Sequence, residues 1–591
     1  MNDSGDQRAA VPDPSCPPWA LREYAVLADG ERGAVLDPRG RIVWLCAPRW
    51  HDDAVFSALI GGAGHFTVEP ADPWHVWGGS YEEGTLIRVS RWVTSECVIE
   101  CREALALPAR TDRLVLLRRM RVERGEAHLD LDLDPRPGFG NGRMRDPRQE
   151  NGVWTAGTEG LHMRFAGAPE AVWRAGGGLR GRFRLREGET HDLVLELAER
   201  QETEPLDPDA LWRSTERAWQ RAVPDCSRLV APRDARHAYA VLRGLTSVSG
   251  GMVAAATTSL PERANSGRNY DYRFAWLRDQ CYAGLAVAAH GPHPLVDDAV
   301  RFVAERILED GDKVRPAYTV DGLPVGGERS LRLPGYPGGT DHVGNDAGAQ
   351  FQLDTFGEAL QLFAAAAAHD RLTEDAEHAA AVAVDVVERQ WLKPDAGLWE
   401  LEDRWWTHSR LSVVCGLRRM AQVLPGAAGQ RCTALADAVL RETRRRCLNR
   451  DGRWRRAEDD DGPEAALLVP MARGCAFGDD GGAATRAYIE SRLAEDGYLY
   501  RFEHTGEPLG DAEGAFLLCG FTMALATHRV GDRAGAFRWF ERTRAACGPP
   551  GLFAEEYDVR QRQLRGNLPQ AFVHAMMLEC AVRLAGESAL P

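Results

Sequence analysis

HDLVLELAERQETEPLDPDALWRSTERAWQRAV, residues 191–223, contains the point at which the character of this sequence changes. Its first part, HDLVLELAE, alternates apolar and polar residues, which is the period of a β-strand with one buried face. Its last part, ALWRSTERAWQRAV, spaces apolar residues three and four apart, as an amphipathic helix does. The sequence therefore predicts a β-rich half before about residue 205 and a helical half after it.

The residues before this point form short apolar runs that Gly, Asp and Pro separate. Examples are GAVLDPRGRIVWLCAP (33–48), HLDLDLD (128–134) and GLHMRFAG (160–167). In HLDLDLD, leucine alternates with a charged residue, so one face of the strand is buried and the other meets water. Such a series of short antiparallel strands predicts a β-sandwich over 21–204. Residues 1–20 are predicted to form a disordered tail.

The residues after this point show helical periodicity in segments of about 10 to 20 residues. The segment 205–232 is predicted to be a helical linker, and 233–591 a single helical domain. Twelve segments allow two concentric rings of six helices, a count that is guided in part by the resemblance given below. The predicted helices span 233–248, 274–290, 294–308, 346–369, 373–391, 409–423, 429–447, 464–473, 481–493, 513–530, 533–546 and 567–585.

The composition limits the class of protein. A length of 591 residues predicts two to four domains, and 44% hydrophobic with 27% charged residues indicates a globular chain. The 72 basic and 87 acidic residues give a net charge of −15, which argues against nucleic acid or an anionic membrane as the main partner. No signal peptide and no apolar stretch near the roughly 20 residues of a membrane span is found, so a cytoplasmic location is expected.

The cysteines and histidines do not predict a metal site. The 13 cysteines are odd in number and scattered, which favours buried thiols over a disulfide framework or a zinc site. His342 and His408 are isolated in the sequence, and a hydrogen-bonding role is favoured over metal ligation. We therefore expect no metal and no cofactor.

Three loops of the helical half are dense in aromatic and charged residues. They are GRNYDYRFAWLRDQ (267–280), DAGLWELEDRWWTHS (395–409) and GLFAEEYDVRQRQLRGNLPQAF (551–572). Glycoside hydrolysis needs two carboxyl groups, and its site needs aromatic faces for a sugar ring and polar groups for its hydroxyls. Each loop alone is weak evidence for a site, because a Trp-Glu pair on a loop is usually part of an ordinary surface. Together they indicate an enzyme that acts on carbohydrate.

Further blocks occur in order along nearly the whole chain, at 24–62, 253–262 (VAAATTSLPE), 335–358 and 513–521 (EGAFLLCGF). With the three loops, they resemble glycoside hydrolase family 15, the glucoamylase and bacterial trehalase group. The resemblance implies an (α/α)6 barrel behind a β-sandwich. It also implies inverting, exo-acting hydrolysis of an α-glucosidic bond, in trehalose or short α-glucans, so the expected partner is a small α-glucoside.

The resemblance also implies roles for residues at matching motif positions. Glu400 of GLWE corresponds to the general acid, and Glu555 of AEEYD to the general base that activates water. Glu556 would help to orient that water, and Arg278 with Asp279 would grip the hydroxyls of the glucose. The residues implied to bind substrate are Tyr272, Trp276, Arg278, Asp279, Trp399 and Glu556.

The chain departs from the trehalase-like pattern at several positions. Where that branch has lysine, tryptophan and aspartate in the helix after GLWE, this chain has Arg410, Val414 and Arg418, and a second family aromatic is replaced at Thr522. Asp341 and His342 stand in a block that often carries arginine. Loss of two aromatics has two interpretations, a repacked barrel wall or a pocket reshaped beyond the first glucose. The alternatives are therefore a divergent member acting on an unusual glycoside or secondary metabolite, and a non-catalytic carbohydrate-binding barrel. The sequence leaves a homo-oligomer open.

Overall fold

Sixteen β-strands precede the first α-helix in the computed structural model, which describes residues 16–475 and 482–586. Alternating residues, with Gly, Asp and Asn at the turns, favour these strands. In chain order they are β1 (Ala25–Ala28), β2 (Gly33–Leu36), β3 (Ile42–Cys46), β4 (Ala54–Phe56), β5 (His65–Pro70), β6 (Val76–Tyr81), β7 (Arg88–Val93), β8 (Val98–Leu105), β9 (Arg113–Arg124), β10 (Glu126–Asp134), β11 (Arg145–Glu150), β12 (Val153–Thr158), β13 (Leu161–Ala166), β14 (Val172–Trp173), β15 (Leu179–Arg186) and β16 (Thr190–Ala198).

The strands form two antiparallel sheets that pack on each other. The first sheet has the order β1-β2-β3-β5-β10-β15-β14, with β4 beside β3, and the second has the order β11-β12-β13-β16-β9-β8-β7-β6. In β10 the leucines are buried and the alternating aspartates are half-buried, as HLDLDLD predicts. Phe66 of the first sheet meets Phe165 of the second with ring centroids 5.8 Å apart. The predicted antiparallel β-sandwich is confirmed.

The N-terminal end of the sandwich begins earlier than predicted. Residues 1–15 of the predicted tail, 1–20, lie outside the described residues. Within its last five residues, Cys16 is buried, and the ring of Trp19 meets that of Trp77 edge-on at 5.6 Å. The backbone N–H of Trp19 donates to the hydroxyl of Tyr24 at 3.0 Å. Residues 16–20 therefore pack against the sandwich.

Helix α1 (Pro208–Ala222) forms in the predicted linker and lies against the sandwich. It begins at Asp207, whose side chain accepts from the N–H of Ala210, with proline at the first helical position. The Trp212 indole donates to Asp192 of β16 at 3.2 Å. The apolar spacing that predicted the helix is therefore the face that it buries.

Twelve more helices follow within the described residues, close to the predicted segments; residue 481, the first of the predicted segment 481–493, lies outside those residues. They are α2 (Pro232–Leu245), α3 (Leu277–His290), α4 (Pro294–Asp310), α5 (Asp354–Ala367), α6 (Glu374–Gln390), α7 (Thr407–Val423), α8 (Gly426–Cys447), α9 (Leu468–Ala472), α10 (Gly482–Leu493), α11 (Leu517–Arg529), α12 (Arg533–Arg544) and α13 (Ala571–Ala585).

These twelve helices form an (α/α)6 barrel. Helices α3, α5, α7, α9, α11 and α13 contact one another in that order and close into an inner ring, and the other six lie outside. Inner helices such as α3 and α13 are buried almost all round, whereas outer helices such as α6 bury one face. The predicted fold class, a β-sandwich followed by this barrel, is confirmed.

Several inner helices begin later than the sequence predicts. Helix α3 begins at 277 rather than 274, and α5 at 354 rather than 346. The residues before α3 and α11 form short strands instead, Ala275–Trp276 and Ala515–Phe516. The side chains of these extended segments are apolar and buried, as those of a helix in the core would be. The apolar pattern of the sequence therefore continues past the true start of each helix.

The cysteines differ from the prediction at two positions. Cys415 of α7 and Cys475 after α9 form a disulfide, with Cα atoms 5.6 Å apart. Because 60 residues separate them in the sequence, their spacing gave no sign of the pairing. The remaining eleven cysteines are buried or half-buried, as expected. Among the described helices, none combines the length and apolar character of a membrane span.

Candidate active site

A cavity of about 280 Å³ opens at the N-terminal ends of the inner-ring helices. Its wall includes the residues just before α3 and α11, namely Trp276 and Phe516, and the loop 398–401 before α7. The three loops singled out in the sequence converge here. Of the predicted site residues, those that line the cavity are Tyr272, Trp276, Arg278, Asp279, Trp399, Glu400 and Glu555.

A tight turn presents Glu400 to the cavity. Its φ is +57°, a left-handed conformation that is uncommon for glutamate. The turn is held from below by buried Asp395, which accepts from the N–H of Gly397 at 3.0 Å and from the hydroxyl of Ser409 at 2.8 Å. Arg410 also donates to Asp395. Because Arg410 is fully buried against this turn, the arginine that replaces a family lysine supports the loop that carries Glu400.

Two donors reach one oxygen of Glu400. The indole N–H of Trp276 donates to Oε1 at 2.8 Å, and Nη2 of Arg278 lies 3.4 Å from the same atom. The Glu400 side chain keeps 24% of its surface exposed, toward the cavity that it lines. A carboxyl held through Oε1 has Oε2 available for a proton transfer.

Asp279 stands beside Arg278 with unused hydrogen-bonding capacity. Its Oδ1 is buried and has no hydrogen-bond partner in the described chain, although the residue lines the cavity. Burial raises the pKa of Asp279 to about 7, against the opposing effect of the Arg278 guanidinium. A buried acceptor without a partner at a cavity wall is suited to a sugar hydroxyl.

Glu555 lines the same cavity from a different loop and is 5% exposed. The hydroxyl of Tyr272 donates to it, at 3.0 Å from Oε2 and 3.2 Å from Oε1. Burial raises the pKa of Glu555 well above its ordinary value, and the neighbouring Glu262 carboxylate raises it further. Such a carboxyl is a stronger base, once ionised, than an exposed glutamate.

Glu262 is a cavity residue for which the sequence indicated no role. It is 4% exposed, lines the cavity and lies close enough to the Glu555 carboxyl to raise the pKa of that group. Nε of Arg268 lies 3.2 Å from its Oε2. Glu262 ends the block VAAATTSLPE, yet nothing in that block indicates that it meets Glu555, which lies near the C-terminal end of the printed sequence. Two carboxyls this close do not both ionise readily.

Other cavity residues were also missed by the sequence analysis. Some lie in the singled-out loops 267–280 and 551–572 without having been given a role, and the others come from segments that were not singled out as functional loops. These additional lining residues are Arg268, Tyr270, Glu328, Asn345, Asp346, Gln350, Arg501, Phe516, Gln570 and Phe572.

The structure does not bring Glu556 to the cavity. It is fully buried at the start of the short strand Glu556–Asp558, and it accepts from the N–H of Gly514 at 2.7 Å. Neighbouring residues of an extended chain point to opposite sides, so Glu555 and Glu556 face different surroundings. Trp399 does reach the cavity, and its indole donates to buried Glu464 at 2.7 Å.

The positions that depart from the family pattern lie away from the cavity wall. Val414 and Thr522 are buried within α7 and α11 and are not among the residues that line the cavity. The hydroxyl of Thr522 donates to the carbonyl of Leu518, and the Arg418 guanidinium pairs with Asp437 at 3.5 Å. Of the two interpretations of the lost aromatics, these contacts favour a repacked barrel wall, because both positions lie in helix packing.

Asp341 and His342 also have structural contacts. Asp341 accepts from the Ser330 hydroxyl at 2.8 Å and from the N–H of Leu333 at 2.9 Å. The carbonyl of His342 accepts from the hydroxyls of Thr258 and Ser259. His408 is buried next to the loop 396–401, and burial lowers its pKa to about 3. The contacts of Asp341 and His342 join neighbouring loops, whereas both ring nitrogens of His408 have no hydrogen-bond partner in the described chain, so the hydrogen-bonding role expected for His408 is wrong.

Comparison with known proteins agrees with this arrangement. The family model "Glycosyl hydrolases family 15" matches residues 236–582, which is more than half of the chain. The chain belongs to glycosyl hydrolase family 15. A second model, "Trehalase-like, N-terminal", matches residues 18–215. As a member of this family, the chain is a glycoside hydrolase.

Several named proteins and solved structures are similar to this chain. A trehalase of Mycobacterium tuberculosis is 29% identical over 95% of this chain and 89% of its own length. Trehalase 1 of Sulfolobus acidocaldarius is 26% identical over 96% of this chain and 99% of its own. A bacterial glucoamylase, solved as a complex with acarbose, superposes with a TM-score of 0.66 over 96% of this chain and 94% of its own at 12% identity, which shows a shared fold.

Proposed function

We propose that this family 15 hydrolase cleaves α-glucosidic bonds from the non-reducing end with inversion of the configuration at C1, and that trehalose is its preferred substrate. The observation that carries the proposal is that Glu400 and Glu555, which come from different loops, line one cavity, each with its own hydrogen-bond donors. A pair of carboxyl groups flanking a bond is what inverting hydrolysis needs.

Glu400 is proposed as the general acid. Its Oε1 is occupied by the indole of Trp276, so Oε2 would donate the proton to the glycosidic oxygen as the bond from C1 breaks. The carboxylate that this transfer leaves carries a negative charge. Arg278, 3.4 Å away, would stabilise that charge.

Glu555 is proposed as the general base. It would take a proton from a water molecule whose oxygen attacks C1 from the face opposite the departing oxygen, and this displacement inverts the configuration at C1. The Tyr272 hydroxyl stabilises the ionised form of Glu555 and orients it. The carboxyls of an inverting pair are roughly 6.5–9.5 Å apart, which leaves room for that water. Tyr272, which binds Glu555, and Trp276, which binds Glu400, contact each other with ring centroids 5.4 Å apart.

Binding of the glucose is assigned to Asp279, Arg278 and the aromatic walls. The partnerless Oδ1 of Asp279 would accept a hydroxyl. Trp276, Trp399 and Phe516 offer ring surfaces in the cavity. Glu556 receives no part in binding, since the cavity does not include it. Trehalose is placed first because relatives that align along nearly the whole chain carry the name trehalase.

The proposal is tested by incubating the purified protein with trehalose, maltose and isomaltose and measuring glucose release. We expect trehalose to give the highest kcat/KM. Glu400→Gln and Glu555→Gln should each lower kcat by on the order of 10²–10⁴-fold, which is the usual contribution of a positioned acid or base. Glu556→Gln is the neighbouring control and should keep kcat within tenfold if the protein folds. Loss of activity in Glu556→Gln with retention in Glu555→Gln would reverse the assignment.

A further inference from the structure

Tyr272 connects the two proposed catalytic walls. Its hydroxyl donates to Glu555, and its ring meets that of Trp276 edge-on at 5.4 Å. Trp276 in turn donates to Glu400. A displacement of Tyr272 would therefore disturb the geometry of both carboxyl groups at once.

The two residues that flank Tyr272 face away from the cavity. The backbone here is extended, since the carbonyls of Tyr272 and Phe274 accept from the N–H groups of Ala255 and Ala254 at 2.9 and 2.8 Å. In an extended chain, successive side chains point to opposite sides. Asp271 and Arg273 are 0% and 2% exposed, and neither lines the cavity.

Arg273 joins the barrel to the sandwich. Its Nε and Nη2 donate to the two oxygens of Asp271 at 2.9 and 2.7 Å. Its Nη1 donates to the carbonyls of Asp52 at 2.9 Å and Trp50 at 3.3 Å, both in the loop between β3 and β4. The guanidinium therefore holds the segment that carries Tyr272 against the N-terminal domain.

Asp271 extends this connection to another part of the cavity wall. Its Oδ2 accepts from the N–H of Gly344 at 3.0 Å, and its carbonyl accepts from Nδ2 of Asn345 at 3.5 Å. Residues 345–347 line the cavity. One buried ion pair thus touches the sandwich, the Tyr272 segment and the loop that forms a further wall.

We propose that Asp271 and Arg273 are positioning residues through which the docked β-sandwich fixes Tyr272 and the 345–347 wall of the active site. The sandwich then contributes to catalysis by positioning residues of the barrel, although none of its own residues lines the cavity in the described chain. This inference rests on the proposed function, because Tyr272 matters to catalysis only if Glu555 is the base.

Arg273→Lys tests the connection with the charge retained. Lysine presents its donors from a single nitrogen and cannot bind both oxygens of Asp271 and two carbonyls at once. We expect kcat on trehalose to fall about ten- to a hundredfold, the usual effect of a small misplacement of reacting groups, with a smaller change in KM. Asp271→Asn keeps the shape of the pair and serves as a second variant if Arg273→Lys does not fold.

Two control variants separate positioning from general stability. Arg118→Lys makes the same substitution at a 0% exposed arginine of the sandwich core, where the side chain binds Glu103 at 2.6 Å and two carbonyls. Glu31→Gln weakens another contact between the domains, where Glu31 accepts from the N–H of Val248 at 2.7 Å. Both should keep kcat within about twofold of the unmodified protein.

A double-mutant cycle tests whether Arg273 acts through Tyr272. In the Tyr272→Phe background, Arg273→Lys should lower kcat by much less than it does alone, because coupled residues are not additive. Multiplicative losses would overturn the proposal, and so would an equal loss in Glu31→Gln.

Amide hydrogen exchange gives a readout that does not need turnover. Exchange at residues 270–274 should accelerate in Arg273→Lys but not in Arg118→Lys or Glu31→Gln. Unchanged exchange in this segment would contradict the positioning role. If the unmodified protein cleaves no α-glucoside, the proposed function fails, while the exchange measurement still decides whether the pair holds the segment.

Discussion

Replacing Tyr272 with phenylalanine should move the acid limb of the activity profile to higher pH. The Tyr272 hydroxyl donates to both oxygens of Glu555, at 3.0 and 3.2 Å. A donor of this kind favours the ionised carboxylate, so its removal raises the pKa of Glu555 above its already raised value. Since the base acts in its ionised form, activity is lost as the pH falls through that pKa.

The size of the shift follows from the hydrogen bond that is lost. A hydrogen bond to a charged group contributes about 1.5–3 kcal/mol, and 1.36 kcal/mol corresponds to about one pKa unit. The acid limb of kcat/KM should therefore move up by about 1–2 pH units. The rate on the alkaline side of the limb should change less than the rate on its acid side.

The assay is glucose release from trehalose between about pH 4 and 9, with kcat/KM fitted at each pH. Tyr270→Phe is the matched control, because its ring stacks on that of Tyr272 at 6.3 Å and lines the same cavity. Its rate is free to change, but its acid limb should stay in place. An acid limb that stays fixed or moves to lower pH in Tyr272→Phe would refute the role of this hydrogen bond.

Three further predictions concern the same groups and the stability of the fold. Glu262→Gln removes the carboxylate that raises the pKa of Glu555, so the acid limb of kcat/KM should move to lower pH; a shift to higher pH would contradict this coupling. Glu400→Gln should lose far less activity on α-glucosyl fluoride, whose leaving group needs no protonation, than on trehalose, whereas Glu555→Gln should lose activity on both. Burial lowers the pKa of His237 to about 4, so the neutral form is favoured in the folded chain while the unfolded chain protonates below about 6.5. Calorimetry should show the free energy of unfolding, relative to His237→Gln, falling by about 1.4 kcal/mol per pH unit as the pH drops from 6.5 to 4; a difference that is flat with pH would contradict the assignment.

The spacing of apolar residues predicted most of the fold, because buried side chains recur every second residue in a strand and every three or four residues in a helix. The alternation of HLDLDLD gave β10, and the three- and four-residue spacing of ALWRSTERAWQRAV gave α1. The starts of several inner helices were predicted too early, as at Trp276, which lies in a short strand before α3. The residues of this strand are buried as fully as those of helix α3, so hydrophobicity alone does not distinguish the strand from the helix.

The site was predicted in part, because motif identity gives residue types and not the direction of side chains. Tyr272 and Glu555 are 283 positions apart, and only the closed barrel brings them together. Glu556 is next to Glu555 in sequence and points elsewhere, because an extended chain alternates its side chains. Glu262 was missed because a lone glutamate after a proline has no local sign of a partner carboxyl.

The anomeric form of the glucose released from trehalose tests the central claim most directly. Both bonds to the bridging oxygen of trehalose are α, so inversion at one C1 yields one β-glucose and one α-glucose for each bond cleaved. Proton NMR in the first minutes, before mutarotation, should therefore show equal amounts of the two anomers. Release of α-glucose alone would mean retention and would contradict the assignment of Glu400 and Glu555 as an inverting acid and base.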